Sequence, residues 1–190
     1  SRPSVQAQPA AVGGCGTVFF ITPPTAAGCA WTEGLLHAFN PSPGDGYRPD
    51  AGVIVGPAGV QYGTTPIGGS SGFGTVYSLT PPVTPGQPMR ETILYSFTGA
   101  PDGCSPLTAL ALAPNGVLYG TTAKCGANGY GTVFEVDPPA SPGGTWTETV
   151  LHSFTNGSDG GAPNGIALGP DGTLYLSLIH ISEPTRQAEI

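Results

Sequence analysis

Three features of the sequence predict an all-β repeat fold. Short clusters rich in Val, Ile, Thr, Tyr and Phe recur along the chain, the landmarks between them return every 57 or 58 residues, and no stretch holds helical periodicity. Gly-Thr-Val stands at 16–18, 74–76 and 131–133. Phe39, Phe97 and Phe154 follow at the same steps, while Asp45, Asp102 and Asp159, each before a Gly, and then Pro49, Pro106 and Pro163 step 57 each time. Tyr62-Gly63-Thr64-Thr65 returns as Tyr119-Gly120-Thr121-Thr122, with Tyr175 in the next place.

The middle unit justifies the strands one by one. Leu107–Ala113 is a short apolar run, and Pro114-Asn115-Gly116 supplies the turn chemistry of a hairpin. Val117–Thr122 is the second strand. A Gly-rich loop, Cys125–Tyr130, leads to the third, Gly131–Val136. A Pro-rich loop, Asp137–Gly144, leads to the fourth, Thr147–Phe154. There Thr147, Thr149, Leu151 and Ser153 alternate with Glu148, Val150, His152 and Phe154, as a strand requires. Four strands per unit without helices is the pattern of a propeller blade, so a partial β-propeller is expected. On that phase the chain holds half a blade (16–39), two full blades (49–97 and 106–154) and a started blade from Pro163. A β-solenoid or a string of small β-sandwiches is the competing architecture. Residues 1–15 do not repeat cleanly and are read as a linker or the start of the repeat region.

Composition narrows the function. The 190 residues include 31 Gly and 22 Pro, a level that often accompanies disorder but here follows from regular turns. Five Lys and Arg, in a chain of net charge −7, leave no basic stripe, so nucleic acid is not an expected partner. No apolar run is long enough to span a membrane as a helix. No signal segment is visible, and a chain opening on Ser1 says nothing of one. Low Lys content, Thr, Ser and Gly richness and scattered Cys fit an exported bacterial protein. None of Cys15, Cys29, Cys104 and Cys125 forms a C-x-x-C pair, so neither a zinc nor a redox motif is present. Cys104 and Cys125 flank one face of a unit and are candidates for a disulfide, with the overall pairing left open.

The motifs of Gly131–Pro139, Trp146–Phe154, Ser158–Gly160 and Leu118–Thr122 together resemble the GloVer-type tandem repeat of bacterial exported proteins, often grouped with choice-of-anchor proteins. The resemblance covers about 16–175. It implies a secreted or surface-anchored, propeller-like array without enzyme activity. The run Pro163–Tyr175 also looks like the opening of a blade in NHL-like and gluconolactonase-like propellers. The first unit departs from the pattern, with Gly34 in place of a strand Thr and Val60-Gln61-Tyr62 in place of the Leu-Tyr pair.

After Tyr175 the repeat calls for Gly-Thr-Thr, and the chain reads Leu176-Ser177-Leu178-Ile179-His180 instead. The string from Leu176 to Arg186 resembles the in-frame translation of a transposase sequencing adapter. Residues 176–190 are therefore expected to be a non-native tail, the alternative being a natural divergent end. His180, Glu183, Arg186 and Glu189 are kept out of any site on that reading.

Candidate site residues are few. Asp45, Asp102 and Asp159 share one place in each unit and are candidate ligands for a cation or polyol. The plainer reading is an Asp-Gly turn, with Asp accepting a backbone hydrogen bond and Gly taking positive φ. One Asp per unit is too sparse for a calcium loop, so no metal and no cofactor is expected. His37 and His152 align with Tyr95, a swap that argues against a catalytic base. Glu91 and Glu148 align one per unit, with no second carboxylate placed near either, so the carboxylate pair of a glycosidase is not expected. No catalytic motif is present. Trp31 and Trp146 align, with Met89 between them, and are candidates for stacking on sugar rings or for covering apolar surface. The expectation is a non-catalytic extracellular or cell-surface scaffold, with a polysaccharide or a surface protein as partner. The alternative is part of a propeller enzyme acting on carbohydrate, its active site in blades outside this sequence.

Overall fold

The computed structural model describes residues 15–25, 30–40, 42, 44–84 and 87–180, with the backbone alone at 179–180. Cys29, residues 1–14 of the expected linker and 181–190 of the expected tail lie outside the described residues.

The described chain is strands joined by turns and one 3-10 turn at Pro57–Gly59. Strands β1 (Thr17–Thr22) and β2 (Thr32–Ala38) pair antiparallel. The next unit contributes β3 (Gly46–Tyr47), β4 (Ile54–Val55), β5 (Gln61–Thr65), β6 (Ile67–Gly68), β7 (Thr75–Thr80) and β8 (Arg90–Ser96). It is followed by β9 (Ala111–Leu112), β10 (Leu118–Thr122), β11 (Thr132–Asp137) and β12 (Thr147–Ser153). Last come β13 (Gly161–Leu168) and β14 (Leu174–His180), paired with each other. Two four-stranded antiparallel meanders result, β4-β5-β7-β8 and β9-β10-β11-β12, and β3 pairs with β6 in a separate short ribbon.

The period is visible atom by atom. Each third strand carries a bulge at the same place, between Val18 and Phe19, Val76 and Tyr77, and Val133 and Phe134. A turn closed by Ala113 N to Val117 O (2.9 Å) recurs as Gly56 N to Val60 O and Gly169 N to Thr173 O, both 2.8 Å. The expected first strand of the middle unit, Leu107–Ala113, shrinks to Ala111–Leu112. Its earlier part turns to the preceding sheet, where the Thr108 carbonyl accepts from Thr64 Oγ1 at 3.2 Å.

Two sequence landmarks prove to be two sides of one contact. Gly74 and Gly131 take φ of 105° and 93°, a region that favours glycine, and a Cβ there would lie 2.7 Å from Pro106 Cδ and 2.9 Å from Pro163 Cδ. Gly16 (φ 104°) meets Pro49 in the same way. The Gly of each Gly-Thr-Val thus docks the Pro that opens the next unit.

The core lies between units. One buried cluster joins Cys15, Val18 and Phe39 to Tyr77, Leu79 and Met89, and a second joins Val76 and Phe97 to Leu110, Leu118, Phe134 and Val136. Sheet faces stack because each has one apolar side to hide. Within each meander, fully buried threonines tie neighbouring strands: Thr65 and Thr75 hydroxyls meet at 2.8 Å, as do those of Thr122 and Thr132. Thr65 donates to the Ile67 carbonyl at 3.0 Å, so its one proton is used and Thr75 is the donor of the pair.

The departures of the first unit have a steric reason. Phe20 pairs with Gly34 where the later units pair Ser78 with Thr92 and Glu135 with Thr149. The Phe20 ring occupies the space a Cβ at Gly34 would need. At the chain's other end, β14 runs on through Leu176, Ser177 and Leu178, which pair with Ile166, Gly165 and Pro163. In the earlier units Leu176 has Gly63 and Gly120 as counterparts. Glycine is needed there because the Tyr77 and Phe134 rings of the neighbouring strand lie over it.

Candidate functional site

Each junction between units, here called a seam, has an apolar half and a polar half. The apolar half is a Phe at the end of one unit set edge-on against an aromatic of the next: Phe39 on Tyr77 at 5.2 Å and Phe97 on Phe134 at 5.0 Å between ring centroids. The polar half starts two residues earlier, at His37 or Tyr95, whose rings pack edge-on against Phe39 and Phe97 at 4.8 and 5.3 Å.

The three aspartates clamp the loop that leaves each fourth strand. Asp45 accepts from the Asn40 N–H at 3.0 Å and from the Gly46 N–H at 2.7 Å. Asp102 Oδ2 accepts from the Thr98 N–H at 2.8 Å, the Thr98 hydroxyl at 3.0 Å and the Tyr95 hydroxyl at 3.0 Å. Asp159 accepts from the Thr155 N–H at 3.0 Å and from the Thr155 hydroxyl, and lies 3.2 Å from His152 Nε2. These bonds, the Thr155 hydroxyl first, hold the Asp159 carboxyl below the usual carboxylate range. The glycines after them differ from the turn expected: of Gly46, Gly103 and Gly160, Gly160 alone takes positive φ, 69°. Gly46 and Gly103 answer a close approach instead, since a Cβ at Gly103 would lie 2.7 Å from Thr122 Cγ2 and one at Gly46 2.6 Å from Thr65 Cγ2.

A glutamate of the following unit completes each polar half. His37, Asp45 and Glu91, all half-buried, each bring one donor atom within 4.8 Å of the others. His37 Nε2 lies 3.0 Å from Glu91 Oε2 but off the direction of a hydrogen bond, and neither Nε2 nor Glu91 Oε1 has a hydrogen-bond partner. At the second seam Glu148 faces Asp102 and Tyr95. Burial first, then the charge of Asp102, lifts its carboxyl to about 7, with the Tyr95 hydroxyl pulling weakly the other way. Burial, then Asp102, also holds the Tyr95 phenol well above its usual value, so it stays a donor. Along the chain, the repeated places hold one Asp and one Glu per unit. Packing brings the Asp of one unit against the Glu of the next, which linear spacing does not show. The signal available was the fixed interval: Glu91 and Glu148 each stand 46 residues after Asp45 and Asp102.

The other candidates separate. Trp31 is 62% exposed, whereas Trp146 packs edge-on against Tyr62 of the preceding unit at 6.4 Å and borders the second core cluster. Met89, between them in the alignment, is buried in the first cluster. Tyr175 is 60% exposed, while Phe39, Phe97 and Phe154 are buried. Cys104 and Cys125 form a disulfide. Among the described residues no helix is long and apolar enough to cross a membrane.

The family model of the Gloeobacter/Verrucomicrobia repeat matches residues 6–177. The chain belongs to this family. No curated protein matches the sequence.

Proposed function

We propose that this repeat chain forms successive blades of a β-propeller in a non-catalytic, exported or cell-surface scaffold that binds a polysaccharide or a surface protein. The observation that carries the reading is the pair of four-stranded meanders, with an edge-on aromatic contact of the same kind at both seams and the Asp and Glu of the polar halves at repeated places. Enzymes concentrate chemistry at a unique site, whereas repetition of the same Asp, Glu and His or Tyr suits scaffolding. The Cys104–Cys125 disulfide supports an oxidising, exported location. Exposed Trp31 is the ring best placed to stack on a sugar.

The test is a glycan array probed with the chain and with Trp31→Ala, alongside an assay for reducing ends released from the same polysaccharides. Binding that falls with Trp31→Ala, with no release, supports the reading. Release of reducing ends moves the assignment to a carbohydrate-active propeller enzyme, and binding indifferent to Trp31 removes the stacking role.

A further inference from the structure

The first seam holds a nitrogen donor and two carboxylates drawn from two units: His37 on β2, Asp45 in the loop after it, and Glu91 on β8. Zinc held at bonds of about 2.0 Å places tetrahedral donors about 3.3 Å apart. The His37 Nε2 to Glu91 Oε2 separation, 3.0 Å, already matches. The widest separation in the group, 4.8 Å, needs a contraction of about 1.5 Å. The 3.0 Å contact is not a hydrogen bond, and it leaves buried His37 Nε2 and Glu91 Oε1 without partners. Buried polar atoms in that state call for an explanation. A cation between the three side chains supplies the missing partner and neutralises two adjacent carboxylates. Asp45 is also prepared as a ligand: the Asn40 and Gly46 N–H groups fix its carboxylate, and each oxygen keeps a free lone pair.

We propose that His37, Asp45 and Glu91 bind one divalent transition-metal ion, zinc by preference, which pins the first unit to the second. One imidazole and two carboxylates, without thiolate, suit zinc or manganese over copper(I), and three protein donors leave a further position to water. The chain contains its own control. At the second seam Tyr95 replaces the imidazole and its hydroxyl donates to Asp102, so the nitrogen donor is missing. His152 and Asp159 offer two donors, and His152 is 49% exposed.

The experiment is a calorimetric titration of the 190-residue chain with Zn²⁺, with Mg²⁺ and Ca²⁺ for comparison and Co²⁺ as an optical probe. The expected result is one high-affinity zinc per chain, weaker Mg²⁺ and Ca²⁺, and a visible Co²⁺ band. His37→Tyr and Glu91→Gln should weaken zinc on the order of tenfold or more, and His152→Tyr should leave it unchanged. His37→Tyr installs the residue the chain itself carries at the next seam, and its metal-free thermal midpoint checks that it folds. Glu91→Gln tests the site separately. Zinc binding only at millimolar concentration, or binding unaltered by both His37→Tyr and Glu91→Gln, overturns the proposal.

Discussion

At the first seam Phe39 meets Tyr77 and His37 faces Asp45 and Glu91, whereas at the second Phe97 meets Phe134 and Tyr95 faces Asp102 and Glu148. The places are equivalent and the apolar geometry is nearly the same, yet the polar halves solve their charges differently. Tyr95 donates a hydrogen bond to Asp102 at 3.0 Å and the lifted carboxyl of Glu148 takes up a proton near neutrality. His37 instead leaves its Nε2 without an aligned acceptor beside two carboxylates. The repeat thus preserves the stacking and lets one ring position decide the chemistry of the seam.

The largest way to break the comparison is to remove what the two seams share. Phe97→Ala empties a fully buried site between the two meanders and should cost about 3–5 kcal/mol. Urea unfolding would show this as a lower midpoint at unchanged slope. Phe39→Ala should cost a similar amount, and a large difference between the two would show that the seams are not equivalent. Next in size is the disulfide that the second meander has and the first lacks among the described residues. The Cys104–Cys125 bridge, at a sequence separation of 21, should contribute about 3 kcal/mol. The unit before has Tyr47 and Gly68 in those places. Reduction should therefore lower the protection of amides in β10 and β11 more than in β5 and β7, as read by hydrogen exchange.

A smaller change should make the first seam copy the second. Tyr77 is fully buried and its hydroxyl has no partner, while Phe134 carries no hydroxyl at the same place. Burial, with the charge of Glu91 adding to it, holds the Tyr77 phenol far above its usual value, so the group stays neutral and unsatisfied. Tyr77→Phe should stabilise the chain by about 1 kcal/mol, and a thermal midpoint that fell instead would mean the hydroxyl has a water partner.

Much of this organisation is legible in the sequence, and what is not has one cause. The period, the number of units and the four strands of each follow from turn residues and alternation, which are local. Gly131 and Pro163 are visible as landmarks, but that they touch is not, because the contact joins two units. The same holds for Asp45 with Glu91 and for Asp102 with Glu148. Side chains opposed across a seam are set by how sheets stack, and stacking leaves no mark on the spacing within a strand. Trp146 shows the limit from the other side. Its alignment with Trp31 suggests one role for both, yet one packs on Tyr62 and the other is exposed.

The smallest effect tests the polar half of the second seam alone. Burial and Asp102 raise the Glu148 carboxyl from its ordinary 4.5 to about 7, so the folded chain holds a proton there that the unfolded chain releases. That proton favours the fold below about pH 4.5, and the benefit is lost as the pH rises through about 7. Stability measured from pH 5 to pH 8 should therefore decline, by a modest amount because Glu148 is only half-buried. Glu148→Gln keeps the shape of the protonated acid and should flatten this part of the profile. Adding Tyr95→His to wild type converts the second seam toward the first. A second zinc per chain, appearing in the calorimetric titration only after this change, would tie both seams to the identity of a single ring.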